Sequence, residues 1–326
     1  MNTLVQAENL VKLFPLRSGF LGRGKGIVHA VENVNFDIEE GTTLGLVGES
    51  GCGKTTVGRL SLRLVEPTRG SLRFEGVNIL ELEKNRLRRL RSKMQIIFQD
   101  PFASLNPRQT VRTIISHPLL LHGIVEMDEV EAEVSRLLEA VGLKPASLYL
   151  NRFPHEFSGG QRQRIGIAKA IASRPKYIVA DEPVSALDMS IRGQILNLLK
   201  KLQEEFKIAY LFITHDLSVV RSVTKVVSVM YLGKIVEQSD VEGLFENPLH
   251  PYTRALLAAT PIPDPERSRN RERVILKGDV PSSINPPPGC RFHPRCPFSN
   301  GRCTRMEPEI VEVETKHFAA CYRVAQ

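Results

Sequence analysis

Short apolar runs alternate with turn residues over the first hundred positions, and the alternation resumes after about residue 174. The clearest runs are Thr43–Val47, Met94–Phe98, Tyr177–Ala180, Ala209–Thr214 and Val226–Met230. Apolar runs of about four to eight residues bounded by turn signals are typical of buried strands. A helical pattern such as that of Ile191–Phe206 lies between the later runs. The chain is therefore predicted to form an α/β fold with a largely parallel sheet covered by helices.

A different pattern occupies the middle of the chain, from about Thr110 to Ser173. Apolar residues recur there at helical spacing, and acidic residues lie mostly on the opposite side of the predicted helix. The apolar positions are Val130, Val134, Leu137, Leu138 and Val141. This block, over about residues 110–173, is expected to be an α-helical subdomain inserted into the α/β core.

The composition is that of an ordinary globular protein. The 326 residues are 42% hydrophobic and 25% charged, which excludes wholesale disorder and allows a large core. The net charge of +8 fits a nucleic acid, an anionic membrane surface or a phosphate ligand equally well. No run approaches the roughly 18 apolar residues of a spanning helix, and the first residues lack the pattern of a secretion signal. A cytosolic location is therefore expected.

Cysteine is concentrated in the last part of the chain, after a proline-rich stretch. Seven of the 28 residues from Pro261 to Pro288 are proline, which predicts a linker or an extended strap. Four of the five cysteines follow it, at Cys290, Cys296, Cys303 and Cys321. The segment that holds them is too short to bury a core of its own, so we expect a metal centre to stabilise its fold.

A phosphate-binding loop follows the apolar run Thr43–Val47. Residues 48–55 read G-E-S-G-C-G-K-T, which matches the pattern G-x-x-x-x-G-K-[ST]. In this motif backbone N–H groups surround the phosphates, the lysine (Lys54) neutralises their oxygens, and the hydroxyl (Thr55) ligates Mg²⁺. The expected nucleotide-binding residues are Gly48, Glu49, Ser50, Gly51, Cys52, Gly53, Lys54, Thr55 and Thr56. The sequence therefore predicts a nucleoside triphosphate site.

Two further motifs carry chemistry that suits this ligand. The apolar run from Tyr177 ends in Asp181 and Glu182, which places Asp181 to hold Mg²⁺ through water and Glu182 to orient or deprotonate the attacking water. A second phosphate-binding surface is predicted at the start of a helix, where a hydroxyl and backbone N–H groups are presented together. Its residues are Ser158, Gly159, Gly160 and Gln161.

Taken together, the motifs resemble those of the ATP-binding cassette (ABC) subunits of transporters. The resemblance covers roughly residues 3–258 and adds Gln99, Asp188 and His215 to the motifs above. It implies an ABC-type phosphate-loop ATPase core over residues 1–260, a linker over 261–288 and a small Cys-rich metal-binding domain over 289–326.

The resemblance also implies a head-to-tail dimer in which each ATP lies between one chain's phosphate loop and the partner's Ser158 motif. Gln99 would touch metal and water and sense the membrane partner, Asp188 would contact the facing subunit, and His215 would hold the γ-phosphate. The aromatic residue that stacks on adenine would be Phe14, with His29 as the alternative, because an apparent insertion at Arg17–Gly26 changes the spacing.

Within this family, the chain is most similar to the ATPases of oligopeptide and dipeptide importers. That similarity rests on residues 45–54, 98–107 and 247–253, and on the tail from Gly289 to Cys303. It implies a peripheral ATPase on the cytoplasmic face of the cell membrane that acts with two permease subunits, a second ABC ATPase expected to be a paralogue and, indirectly, an extracytoplasmic solute-binding protein. No nucleic acid is expected. Importers of nickel or glutathione share this architecture, and a soluble ABC ATPase outside transport is a further alternative.

The same similarity bears on the four cysteines of the tail. In this family such a tail holds a [4Fe–4S] cluster, which Cys290, Cys296, Cys303 and Cys321 would bind here. The alternatives are a Zn²⁺ site, although the C-x2-C spacing usual for structural zinc is absent, and free thiols without a metal.

Overall fold

A computed structural model describes residues 3–16, 26–260 and 278–324. Its strands are β1 (Thr3–Pro15), β2 (Ile27–Glu39), β3 (Thr43–Val47), β4 (Arg69–Phe74), β5 (Val77–Asn78), β6 (Met94–Ile97), β7 (Tyr177–Asp181), β8 (Ala209–Thr214), β9 (Val226–Tyr231), β10 (Lys234–Asp240), β11 (Val311–Glu314) and β12 (His317–Ala319). Its α-helices are α1 (Lys54–Ser61), α2 (Lys84–Leu90), α3 (Pro101–Ser104), α4 (Val111–Leu121), α5 (Val130–Ala140), α6 (Gly159–Ile171), α7 (Met189–Phe206), α8 (Leu217–Val223), α9 (Val241–Glu246), α10 (Pro251–Ala259) and α11 (Gly301–Arg305). The strands and helices alternate as an α/β fold requires.

The chain divides into two units. The first unit comprises the chain up to Leu4, Ile38–Thr42 and Glu81–Ile213. The second comprises Val5–Asp37, Thr43–Leu80 and the chain from Thr214 onward. No helix within the described residues is both long enough and apolar enough to cross a bilayer.

The first unit is built on parallel strands. β7 pairs in parallel with β6 on one side and with β8 on the other. Every residue of β7 is buried, as expected for a central strand covered on both faces. The strand ends at Asp181, so this carboxylate is carried to the carboxyl edge of the sheet, where α/β proteins place their ligands.

A group of three helices completes the first unit. α4, α5 and α6 pack against one another. The apolar stripe of α5 is buried, with Val134 and Leu138 fully covered. The helical pattern between residues 110 and 173 corresponds to these three helices, with two short 3₁₀ turns between α5 and α6.

The strands of the second unit belong to two different sheets. β2, β1, β4 and β5 form one sheet in that order, and β4 runs antiparallel to both β1 and β5. β3 pairs in parallel with β9, and β10 runs antiparallel to β9. All five residues of β3 are buried, so the loop that follows Val47 starts from a rigid support.

The tail does not form the separate Cys-rich domain that the family resemblance implies. Residues 278–324 belong to the second unit, where β12 pairs with β10 and β11 pairs with β12. Phe292 is 1% exposed and its ring lies 5.2 Å from Tyr231 and 5.4 Å from Tyr252. The tail is short of apolar residues because it completes an existing core and an existing strand edge. Residues 261–277 of the predicted linker lie outside the described residues, as do residues 17–25 of the predicted insertion.

Candidate nucleotide-binding site

The phosphate loop of the second unit is closely surrounded by backbone. It runs from the end of β3 to Lys54, the first residue of α1. A Cβ atom at Gly48 would lie 2.1 Å from the carbonyl oxygen of Met230, and one at Gly53 would lie 2.2 Å from that of Ala30. Both glycines have positive φ. The motif therefore needs glycine at these positions for space as well as for backbone conformation.

Lys54 is folded back over the loop and is 5% exposed. Its Nζ donates to the carbonyl oxygens of Gly48 at 2.8 Å and Glu49 at 3.0 Å. The helix behind it begins with Gly53 as N-cap, which has no side chain to cap the first N–H groups. A buried ammonium and an uncapped helix N-terminus together make an anion site. Thr55 and Thr56 lie in the first turn of α1.

Glu49 is held by two residues that the sequence motifs do not identify. The backbone N–H of Glu49 donates to the Tyr252 hydroxyl at 2.8 Å. The guanidinium of Arg295 donates to both carboxylate oxygens of Glu49, at 2.8 Å and 3.1 Å. Tyr252 lies in the segment 247–253 that carries the family similarity, so a signal existed for it. Arg295 lies in the segment Gly289–Cys303, which also carries the family similarity, but no motif there indicates its contact with Glu49.

In the first unit, the structure brings together two predicted site residues that are 83 positions apart. Gln99 Nε2 donates to Glu182 Oε2 at 3.1 Å. Asp181, at the end of β7, is 4% exposed, and Glu182 follows it with a φ of 47°. The Glu182 N–H donates to the Ile213 carbonyl at 2.9 Å, which fixes this turn. Glu182 and Gln99 thus lie within reach of one another after the strands that carry them end.

The Ser158 motif forms the N-terminus of α6, as predicted. Ser158 Oγ accepts from the Gln161 N–H at 3.3 Å, and Gln161 Oε1 accepts from the Ser158 N–H at 3.1 Å. These reciprocal bonds are a capping box. Ser158 and Gly159 are exposed, and a Cβ at Gly160 would lie 2.6 Å from Ile191 on α7. Asp188, the N-cap of α7, is exposed as well.

The remaining predicted residues lie in the second unit. His215 directly follows β8 and is exposed. Phe14 is 38% exposed near the end of β1, with Lys12 Nζ 4.8 Å from its ring centroid. His29 lies on β2, with Nδ1 3.1 Å from the Glu32 carboxylate. The structure thus leaves the ring of Phe14 partly open, whereas His29 is engaged by a carboxylate.

The four cysteines of the tail line a single cavity of about 190 Å³, to which His250 and His293 also contribute. All four are free thiols. Burial raises the pKa of Cys290 to about 11, and it also raises the pKa of Cys296 and Cys321. Within the described residues, no group of three or more His, Cys, Asp or Glu side chains is arranged to hold a metal ion. Cys52, in the phosphate loop, is buried beside Lys54.

Comparison with known proteins gives the chain its family. Residues 31–185 match the family model of the ABC transporter, and residues 236–303 match that of the oligopeptide/dipeptide transporter C-terminal region. The oligopeptide transport ATP-binding protein AppF of Bacillus subtilis is 51% identical over 321 residues, which cover 98% of this chain and 97% of AppF. The chain belongs to the ABC transporter ATPases of the oligopeptide/dipeptide family.

Solved structures agree with this assignment. The dimer of the ATP-binding cassette MJ0796 bound to ADP and phosphate is 29% identical, with a TM-score of 0.65 over 73% of this chain and 99% of that one. The cbiO1 protein of Clostridium perfringens, part of the transporter complex cbiONQ, is 25% identical with a TM-score of 0.64 over 76% of this chain and 92% of that one. The predicted α/β ABC ATPase fold is confirmed. As a member of this family, the chain is an ATPase that couples the hydrolysis of ATP to transport.

Proposed function

We propose that this chain is the ATP-hydrolysing motor subunit of an importer for di- or oligopeptides. The observation that carries the proposal is the similarity to AppF along 98% of the chain, which includes the tail as well as the ATPase core. The match of residues 236–303 to the transporter C-terminal region favours peptide transport over a soluble ABC ATPase. No observation within the described residues favours nickel or glutathione.

The solute is tested in the assembled transporter. The chain, its two permeases, the second ATPase and the solute-binding protein are reconstituted in proteoliposomes, and ATP turnover is measured with di- and oligopeptides, Ni²⁺ or glutathione. Peptides are expected to stimulate turnover several-fold, and each peptide is expected to accumulate in the vesicles. Stimulation by Ni²⁺ or glutathione alone would overturn the peptide assignment while leaving the ATPase assignment intact.

ATP is proposed to bind at Gly48–Thr56, with Lys54 neutralising phosphate oxygens and His215 contacting the γ-phosphate. The proposed Mg²⁺ ligands are Thr55, Gln99 and Asp181, whose oxygen donors suit this hard cation. When bound, Mg²⁺ would neutralise charge on the phosphates. Phe14 is proposed to stack on adenine, and its partly open ring supports this choice over His29.

Glu182 is proposed as the base that positions and deprotonates the attacking water. Its hydrogen bond with Gln99 supports this role, because the amide orients the carboxylate at the carboxyl end of β7. Glu182→Gln should keep Mg·ATP binding but lower turnover by about 10²-fold or more. Lys54→Ala should instead weaken ATP binding. Glu204→Gln, an exposed carboxylate on α7, is the control. Near-normal turnover in Glu182→Gln would rule the assignment out.

A head-to-tail dimer with a second ABC ATPase is proposed, on the cytoplasmic face of the membrane and against two permeases. The exposed positions of Ser158 and Asp188 support it, since both are available to a facing subunit. The solved MJ0796 cassette is itself a dimer. Glu182→Gln with ATP should elute as a dimer, alone or with its paralogue, whereas Lys54→Ala should remain monomeric under the same conditions. A monomer in every combination would contradict the proposal.

The four tail cysteines are proposed to bind a [4Fe–4S] cluster. Their thiols share one cavity, yet no three of the described ligand side chains are arranged around a single ion. The shared cavity supports the proposal, because a [4Fe–4S] cluster is held by four cysteine thiolates. Such a cluster would supply covalent cross-links within the tail. Protein purified without oxygen should contain about four iron and four sulfide per chain. One zinc per chain would support the alternative, and no metal would contradict both.

A further inference from the structure

An acidic side chain lies within the phosphate loop. Glu49 follows Gly48 directly, and its backbone carbonyl accepts from Lys54 Nζ at 3.0 Å. The ligand expected here is a polyanion, and like charges at such short range repel strongly where solvent screening is incomplete. A carboxylate at this position therefore weakens nucleotide binding unless another group neutralises it and holds it in place.

Arg295 provides that neutralisation. Its guanidinium donates one hydrogen bond to each carboxylate oxygen of Glu49, and the Arg295 side chain is only 9% exposed. Bidentate, charge-assisted bonds of this kind are strong and directional. Arg295 Nε is buried and has no hydrogen-bond partner within the described part of the chain. Both terminal nitrogens of the guanidinium therefore bond to Glu49.

The main chain of Glu49 is held from the same side. The Tyr252 hydroxyl accepts the Glu49 N–H, and Tyr252 is fully buried. The Tyr252 ring lies 4.7 Å from Tyr231 and 5.4 Å from Phe292. Glu49 is therefore held at two points, by Tyr252 at its backbone N–H and by Arg295 at its carboxylate.

Both contacts lead to one turn of the tail, defined here as the Cys290–Cys296 turn. It carries Phe292 against Tyr252, and Arg295 against Glu49, between two of the four cysteines. Backbone bonds from His293 N–H to the Cys290 carbonyl and from Arg295 N–H to the Phe292 carbonyl make the turn rigid. Displacing Cys290 or Cys296 would displace the residues that touch the loop.

We propose that the Cys290–Cys296 turn positions the phosphate loop, with Arg295 as a positioning residue for nucleotide binding, so that the state of the cysteine centre is transmitted to the ATP site through Glu49. The inference rests on the proposed nucleotide and cysteine sites. It assigns to the tail a role in ATP affinity in addition to its contribution to the fold.

The first test measures the Kd of a fluorescent ATP analogue on the full chain. Arg295→Gln should weaken binding about tenfold, because Glu49 is left unneutralised beside the phosphates. The Kd of Arg295→Lys should lie between those of wild type and Arg295→Gln, since lysine keeps the positive charge but cannot make the bidentate hydrogen bond. Glu49→Gln introduced with Arg295→Gln should recover most of the loss, to within about threefold of wild type. Arg302→Gln is the matched control, because Arg302 also precedes a cysteine but stacks on Tyr322.

A purely structural role for Arg295 predicts a different pattern. The double variant would then bind ATP as poorly as Arg295→Gln, and this result would overturn the inference. Unchanged affinity in Arg295→Gln, with wild type binding normally, would overturn it as well. Failure of wild type to bind ATP would instead overturn the proposed function.

The second test concerns transmission from the cysteines and does not depend on Arg295 variants folding. Cys296→Ser, measured beside wild type with metal content determined for each, should weaken ATP binding several-fold. The same substitution in a Glu49→Gln background should have less than half that effect on a logarithmic scale, because the charge that Arg295 neutralises is absent. Equal effects in the two backgrounds would overturn transmission through Glu49.

Discussion

At the scale of single residues, the phosphate loop is constrained by the backbone packed around it. Gly51 and Gly53 both have positive φ, which costs most other residues about 1–2 kcal/mol. They differ in their surroundings. A Cβ at Gly51 has nothing within 4 Å, whereas one at Gly53 would collide with the Ala30 carbonyl. The same residue type therefore serves two different physical needs within one motif.

This difference predicts unequal effects of alanine at the two positions. Gly51→Ala should destabilise the nucleotide-free protein by about 1 kcal/mol, the cost of the backbone conformation alone. Gly53→Ala should cost clearly more, because the Ala30 strand or the start of α1 must move. Urea unfolding of the two variants beside wild type measures the difference. Equal losses would show that the collision is relieved without cost.

At the scale of elements, a buried carboxylate joins the tail to the rest of the second unit. Glu237, on β10, is 0% exposed. Its oxygens accept from the N–H groups of Leu249 and His250 and bond to His317 Nε2, each at 2.8 Å. A buried carboxylate needs this many partners. Strand β12, which carries His317, also covers the edge of β10, so side-chain and backbone bonds agree on one register.

The same contacts predict a dependence of stability on pH. Burial lowers the pKa of His250 to about 4, against an opposing effect of Glu237. Between about pH 6.5 and pH 4, His250 therefore stays neutral in the folded protein, whereas in the unfolded chain it takes up a proton. Its contribution to the free energy of unfolding is complete above about pH 6.5 and is lost as the pH falls through this window. Across the whole window the expected contribution is about 3 kcal/mol.

His250→Asn tests this contribution. Asparagine can still accept the Tyr252 N–H at the start of α10, as His250 Nδ1 does at 3.0 Å, but it cannot take up a proton. The loss of unfolding free energy between pH 7 and pH 5 should therefore be smaller in His250→Asn than in wild type. The same loss in His250→Asn and wild type would show that His250 takes up a proton over this pH range in the folded protein as readily as in the unfolded chain.

At the scale of the whole molecule, the tail and the phosphate loop belong to the same compact unit. Phe292 lies in a buried cluster with Tyr231, Tyr252 and Val47, the last residue before the loop. Removing Phe292 would open a cavity behind the loop itself. A tail that folded as an independent domain would leave the ATP site unaffected by such a change.

Phe292→Ala should therefore destabilise the second unit by about 3–5 kcal/mol and weaken ATP binding. Phe298→Ala is the matched control, because Phe298 lies two residues after Cys296 and is 50% exposed beside Arg323. It should cost less than about 1 kcal/mol. Chemical unfolding followed by a probe in the phosphate loop distinguishes the two. A loop that unfolds at the wild-type midpoint in Phe292→Ala would contradict this account.

Much of this protein could be predicted from contiguous stretches of sequence. The strand before the phosphate loop, the helix after it, the capping box at Ser158 and the strand ending in Asp181 all depend on neighbouring residues, and the structure has them where the pattern places them. Periodicity and motif spacing reflect local backbone geometry, so neighbouring residues are sufficient to predict these elements. The order of the motifs along the chain was enough to indicate the family.

The tertiary structure alone decided which distant residues meet. Arg295 and Glu49 are 246 positions apart, and Glu237 and His317 are 80 apart. The local sequence does not indicate these partners. A charged side chain or a short strand could pair with many distant residues, and only the fold determines which one lies beside it. The family resemblance implied a separate tail domain, but the contacts of the tail make it part of the second unit. Its few apolar residues join a core that the rest of the second unit mainly supplies, and its strand β12 pairs with the edge of β10.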